Sequence, residues 1–178
     1  KFGVIPPLTL DKEAYCLAQS PNGKYLVVGV YSEIIVFERH TRPETHFKEM
    51  KRLKSHGKNI SCSFSANGKL LITGGDDKTV RIWAFETGER LTVLKGHDES
   101  VTKCQISQGN RSLLSAEGNR AVSKWDLSDG KWRCSFEIKA KDITNCSFVP
   151  NNGNLLFLGT KSFGYVLFES ERGRYIRK

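Results

Sequence analysis

Apolar residues in this chain come in short runs, around 25–30, 34–37, 70–73, 101–106, 113–116, 143–149, 155–158 and 164–168, separated by glycine, asparagine, aspartate and serine. No apolar pattern with a 3.6-residue period persists over a stretch of about 11 residues, so the runs predict strands and almost no helix. Asn22-Gly23 and Asn152-Gly153 lie between apolar runs, as does Gln108-Gly109-Asn110. Asn-Gly in that setting predicts a hairpin, because both residues tolerate the left-handed backbone that a tight turn needs. The stretch over residues 53–83 holds one whole unit of this kind, and the unit recurs. Trp83 and Trp125 stand 42 residues apart, as do Cys62 and Cys104, and Cys104 and Cys146.

A fixed period outranks local patterns as a guide to architecture, and 42 residues is the length of a four-stranded propeller blade. Approximate repeats run over 11–53, 54–94, 95–138 and 139–178. The first has Phe37 where a tryptophan is expected, and the fourth lacks both its tryptophan and its histidine. His56, Asp77 and Trp83 in the second repeat, and His97 with the Trp125-Asp126 dipeptide in the third, resemble the WD repeat.

That resemblance implies an all-β chain: a β-propeller segment of about four four-stranded blades, part of a six- to eight-bladed ring. The remaining blades would come from the same longer chain or from another one. The resemblance also implies a hydrogen-bonded chain inside each well-kept blade, formed by His56, Thr73, Asp77 and Trp83 in the second repeat. In the third the corresponding set is His97, Ser115, Asn119 and Trp125, with Asn119 replacing the expected carboxylate.

Repetition bears on chemistry too. His56 with Asp77, or His97 with Ser115, superficially form parts of a catalytic triad, but a nucleophile site is needed once and this pattern recurs in each blade. Gly159-Thr160-Lys161-Ser162 fails as a phosphate-binding loop, because Thr160 interrupts the Gly-Lys pair and no helix follows. Gly74-Gly75 serves a turn and carries no dinucleotide fingerprint. His40 and His46 lie in a charged connector, residues 38–50, without further ligands at metal-binding spacing. No catalytic residue, cofactor or metal is expected.

Five cysteines at 16, 62, 104, 134 and 146 contain no Cys-x-x-Cys pair and leave an odd one over, so they read as reduced thiols of a cytoplasmic or nuclear protein. The acceptor patterns at Asn59, Asn110 and Asn145 read as chance matches. No apolar run approaches the ~18 residues of a membrane span, no membrane partner is expected, and the first ten residues carry no signal-peptide pattern. Both ends look like cuts in a longer chain.

The net charge is +9, and 13 of the 28 lysines and arginines fall on or beside the expected outer strands: Lys48, Lys51, Arg52, Lys54, Arg90, Lys95, Lys131, Arg133, Lys139, Arg172, Arg174, Arg177 and Lys178. Lysine on an edge strand blocks edge-to-edge association; a basic rim also fits phosphates or an acidic partner. The leading functional expectation, implied by the WD resemblance, is a non-catalytic scaffold that binds other proteins within a multi-subunit complex. The regulatory propeller of an apoptosome-type signalling protein is one form of this. The alternative is a propeller in a ribonucleoprotein assembly that contacts nucleic acid through its basic rim. Candidate partner-binding residues are Arg39, His40, Arg42 and His46 in the long connector, and Lys58, Asn59, Asp76, Glu99, Ser100 and Gly118 on the loop face beside the inner strands.

Overall fold

The computed structural model describes residues 10–40, 47–139, 142–150, 152–162, 164–172 and 174–177, and omits the side chains of His56 and Arg177. A strand expected at residues 8–10 lies outside this set except for Leu10. Among the described residues every regular element is a β-strand.

The first blade is built from β1 (Ala14–Gln19), β2 (Tyr25–Arg39) and the first half of β3 (Phe47–Phe64). β2 is 15 residues long, and fully extended it would span roughly 50 Å. Yet the Arg39 N–H reaches the Lys24 carbonyl at 2.7 Å, so β2 doubles back on itself. The reversal is at Ser32, which has φ 60°, between Tyr31, which pairs with Lys58, and Glu33, which pairs with Lys54. Thus β2 supplies both middle strands of the blade. β3 turns likewise near Gly57 (φ 68°). Its first part pairs with β2, and Asn59 to Phe64 pair with β4 (Leu70–Gly75) to open the second blade.

The second blade continues through β5 (Val80–Ala84) and β6 (Arg90–Leu94). The third comprises β7 (Val101–Ile106), β8 (Ser112–Glu117), β9 (Ala121–Ser128) and β10 (Lys131–Lys139). The fourth comprises β11 (Ile143–Val149), β12 (Asn152–Thr160), β13 (Gly164–Glu169) and β14 (Arg174–Arg177). Neighbouring strands within each blade pair antiparallel, and the first two blades join through β3 into one six-stranded sheet.

The inner hairpins explain why the turn sequences repeat. In Ser20 to Gly23 and again in Ser65 to Gly68, the serine hydroxyl donates to the asparagine side chain at 2.7 Å and the glycine N–H returns to the serine carbonyl. Gly23 and Gly68 take φ 69° and 70°. In the third blade the residue at this place is Asn110 (φ 57°) rather than Gly109; asparagine is the non-glycine residue best suited to that conformation.

Successive strand residues face opposite ways, so each blade presents two apolar faces and each seam is filled from both sides. Val27, Ile34, Val36 and Leu53 of the first blade meet Leu71, Trp83 and Phe85 of the second. Ile72, Val80, Ile82 and Leu94 meet Val101, Cys104, Ile106, Leu113 and Trp125 of the third. Leu114, Ala116, Val122 and Ile138 then meet Ile143, Cys146, Phe148, Leu156, Leu158, Val166 and Phe168 of the fourth. Adjacent residues such as Leu113 and Leu114 are both buried because they serve different seams, which explains continuous apolar runs where a half-exposed strand would alternate. Among the described residues the far face of the fourth blade has no such neighbour: Phe157 is 41% and Tyr165 78% exposed. The sheets therefore form an open arc of propeller blades.

Candidate functional site

Two places on this arc gather polar side chains: the interior of each blade, and the face where the turns between middle strands meet the loops leading into the next inner strand.

Inside the third blade, β8 presents Ser115 beside Cys104 of β7 and Ser123 of β9. Trp125 Nε1–H donates to Ser115 Oγ at 2.8 Å, and His97 Nε2 lies 2.6 Å from the same oxygen. His97 Nδ1 is 3.1 Å from Glu117 Oε2, which also accepts the backbone N–H groups of Asp98 and Glu99. With a neutral imidazole the donor inventory gives the chain its direction. An indole N–H only donates, so the Ser115 hydrogen is free for Nε2, and Nδ1–H faces the carboxylate. The carboxylate of this network is Glu117, two residues before Asn119. Asn119 contributes a backbone carbonyl to the Ile143 N–H instead. The WD resemblance puts the acid in the turn, at Asn119, and so misses Glu117 at the strand end. The available signal was a glutamate at the end of an otherwise apolar run.

Ser115, His97 and Glu117 have the connectivity of a hydrolytic triad, but Ser115 is 0% exposed and its oxygen already holds the Trp125 indole. No acyl group reaches that oxygen in this packing. What the set does is tie the entry loop at 97–99 to the blade interior.

In the second blade Trp83 Nε1–H donates to Thr73 Oγ1 at 3.0 Å. Asp77 pairs with Arg81 Nη2 and accepts the Thr79 hydroxyl at 2.9 Å. The His56 side chain lies outside the described residues. Arg81, which the sequence reading passed over, is 5% exposed, and its Nη1 reaches Ser55 Oγ at 3.5 Å.

The candidate contact residues divide. Arg42 and His46 lie outside the described residues. Arg39 ends β2, and His40 is partly exposed near Glu38 at 4.0 Å. Lys58, Glu99 and Gly118 are exposed, and Asp76 and Ser100 half-buried. Asp76 Oδ1 accepts the Lys58 N–H at 2.7 Å, Glu99 faces Arg120 at 3.1 Å, and Lys78 Nζ donates to the Asp98 carbonyl at 2.7 Å. Asn59 is a correction. It is 1% exposed, its amide donates to the carbonyls of Val30 and Glu33, and its Oδ1 accepts from Ser55. A buried amide with these partners pins the second blade to the first and is not available to a ligand.

The rim is less bare than its charge implies. Arg52 is held by Glu49, Asp11 and Glu33, and Lys51 donates to the carbonyls of Phe85 and Glu86. Lys139 pairs with Glu137, and both Arg172 and Arg174 with Glu169. Among the described residues Lys48, Lys54, Arg90, Lys95, Lys131 and Arg133 make no ion pair. Burial pushes the Cys104 thiol up to about 12 and that of Cys146 up to about 11, so neither is a thiolate at neutral pH. Among the described residues no group of three or more metal-ligating side chains occurs, and no helix is long and apolar enough to cross a membrane.

The WD domain, G-beta repeat family matches residues 47–84 and 88–126, the segments that carry Trp83–Thr73 and Trp125–Ser115. The chain belongs to the WD-repeat family. It is 30% identical over 155 residues to apoptotic protease-activating factor 1 of Danio rerio, covering 85% of this chain and 12% of that protein. It is 27% identical over 158 residues to the transcriptional corepressor LEUNIG_HOMOLOG of Arabidopsis thaliana, covering 88% and 20%. With eukaryotic translation initiation factor 3 subunit I of Xenopus tropicalis it shares 28% over 119 residues, covering 66% and 36%. This WD-repeat chain thus spans at most 36% of the length of these relatives.

Proposed function

We propose that this WD-repeat segment is a non-catalytic platform that binds other proteins in a multi-subunit assembly inside the cell. The observation that carries the reading is the division of its polar groups. The set resembling a catalytic triad is sealed in the third blade, whereas Lys58, Lys78, Glu99 and Arg120 stand exposed together on the loop face. Exposed charges on loops held by a rigid scaffold are placed for recognition. Likeness to apoptotic protease-activating factor 1 supports a regulatory propeller of an apoptosome-type protein as the finer form of this reading.

The test compares partner capture by the wild-type chain with a Lys58→Glu/Arg120→Glu variant and with a rim variant, Lys54→Glu/Lys131→Glu. Loss of partners in the loop-face variant alone is expected; equal retention by both would sink the platform reading. The second reading, a ribonucleoprotein propeller, draws on the six unpaired rim cations and on the likeness to the translation initiation factor subunit. It requires RNA binding that weakens steeply with salt, and absence of binding at low salt removes it.

A further inference from the structure

The loop-face end of the second blade's outer edge holds a solvent-open pocket of about 540 Å³. Its charged lining is Lys78, Arg81, Arg90 and Lys95, opposed by one carboxylate, Asp77. Arg90 and Lys95 flank β6 and meet no acid among the described residues. Arg81 is the buried floor: Nη2 holds Asp77 and Nη1 reaches Ser55, and among the described residues Nε–H has no acceptor. A buried guanidinium N–H is normally satisfied, and this one belongs to a side chain that lines the pocket.

The other copy of this framework lacks the feature. Arg81 pairs with Thr73 and Val93, whereas its counterpart Ser123 pairs with Ser115 and Glu137. Arg90 stands opposite Trp83, and the residue opposite Trp125 is Cys134. Lys139, in the place of Lys95, is occupied by Glu137 at 3.7 Å. The cationic lining is therefore absent from the third blade and does not follow from the repeat alone.

We propose that this pocket binds the phosphate monoester of a phosphorylated serine or threonine on a partner protein. A phosphomonoester carries a charge of about −1.5 to −2 and three acceptor oxygens, which suits four cations facing one acid better than a single carboxylate does. The arginine fork supplies directed donors, and Arg90 and Lys95 supply mobile charge at the mouth. The open mouth admits a side chain presented by another protein. The proposal rests on the platform reading and adds the chemistry by which one partner is recognised.

The experiment is an NMR titration of the 178-residue chain with a short glycine-alanine peptide carrying one phosphoserine, its unphosphorylated twin, inorganic phosphate, and a single-stranded RNA oligonucleotide. The phosphopeptide is expected to shift the amides at 77–81 and 90–96 and to bind at least about tenfold more tightly than its twin, the effect of one good charge-assisted contact. Inorganic phosphate is expected to shift the same amides more weakly. Arg90→Glu/Lys95→Glu, on exposed positions, should abolish the preference without changing the melting temperature; Arg81→Lys should reduce it while keeping the charge. Equal binding of the two peptides overturns the proposal, as does shifting by phosphate alone or tighter binding of the RNA at these amides. Lys58→Glu/Arg120→Glu separates the two readings: retained partner capture with the phosphoserine response intact sinks the platform and leaves the pocket standing, whereas lost capture beside equal binding of the two peptides to the wild-type chain leaves only the platform.

Discussion

The second and third blades share one framework and solve the same problem with different residues. Each has a tryptophan indole on a strand hydroxyl, Trp83 on Thr73 and Trp125 on Ser115. Each also sets a carboxylate near the turn that follows, but the third blade takes it from the buried Glu117 and the second from the half-buried Asp77. The strand position of Glu117 is held in the second blade by Gly75, opposite Asn59 as Glu117 is opposite Val101. A Cβ on Gly75 would lie 2.8 Å from the Lys58 carbonyl and 3.2 Å from Asp77, so no side chain fits there and the acid must come from the turn. The cation differs accordingly. Asp77 holds Arg81, and Glu117 holds a histidine together with two backbone N–H groups. The lesson is that a buried acid can migrate by two residues within a blade if the backbone around it changes with it.

The largest effect should come from breaking the second blade's pair. Asp77→Ala leaves the buried Arg81 cation without its acid, a change that costs about 3–5 kcal/mol in comparable buried pairs; Asp77 is a quarter exposed, so the lower end applies. Thermal unfolding of the variant measures it, and a melting temperature equal to wild type would show that Arg81 is adequately solvated without Asp77. Glu117→Ala should cost less, about 2–3 kcal/mol, because the three donors it strands lie next to an entry loop that water can reach. Adding Asn119→Asp to Glu117→Ala sharpens the comparison, since it moves the acid to the second blade's position. Partial recovery of stability is expected. No recovery would mean that the third-blade backbone admits the acid only at 117.

How much of this was legible follows from what repetition can and cannot report. Strand runs and hairpin turns follow from spacing, because a 42-residue period carries backbone geometry from one blade to the next, and the tryptophan–hydroxyl pairs follow from the WD resemblance. Glu117 breaks that logic: it does the work of one position from another, and an offset rule cannot see it. Asn59 was misplaced for a related reason. Its position before an inner strand marks an exposed loop in an average blade, but Gly29 across the seam leaves room. A Cβ on Gly29 would stand 2.9 Å from both Asn59 Cβ and its carbonyl oxygen. β2 and β3 can thus approach closely enough for the Asn59 amide to reach Val30 and Glu33. The doubling of β2 was visible only as two runs, since Ser32 is not a residue whose identity announces a left-handed turn.

The smallest effect separates the blades by pH. Asp126 of the third blade has Ala84 as its counterpart in the second. Burial acts to raise the Asp126 carboxyl, but hydrogen bonds from Lys124, Ser112 and Ser135 outweigh it and hold the group below the usual aspartate range. Lys124 lies at 2.8 Å and the Ser112 hydroxyl at 2.5 Å. A carboxylate whose folded pKa is depressed adds stability that is present above its unfolded value of about 3.9 and is lost as pH falls through the folded value. Because 35% of the side chain is exposed, solvent screening should keep the contribution below about 1 kcal/mol. Asp126→Asn should therefore melt slightly below wild type at pH 6, and the gap should close as pH falls below about 3.9. A gap that stays constant across that range would assign the loss to packing or hydrogen-bond geometry rather than to the charge.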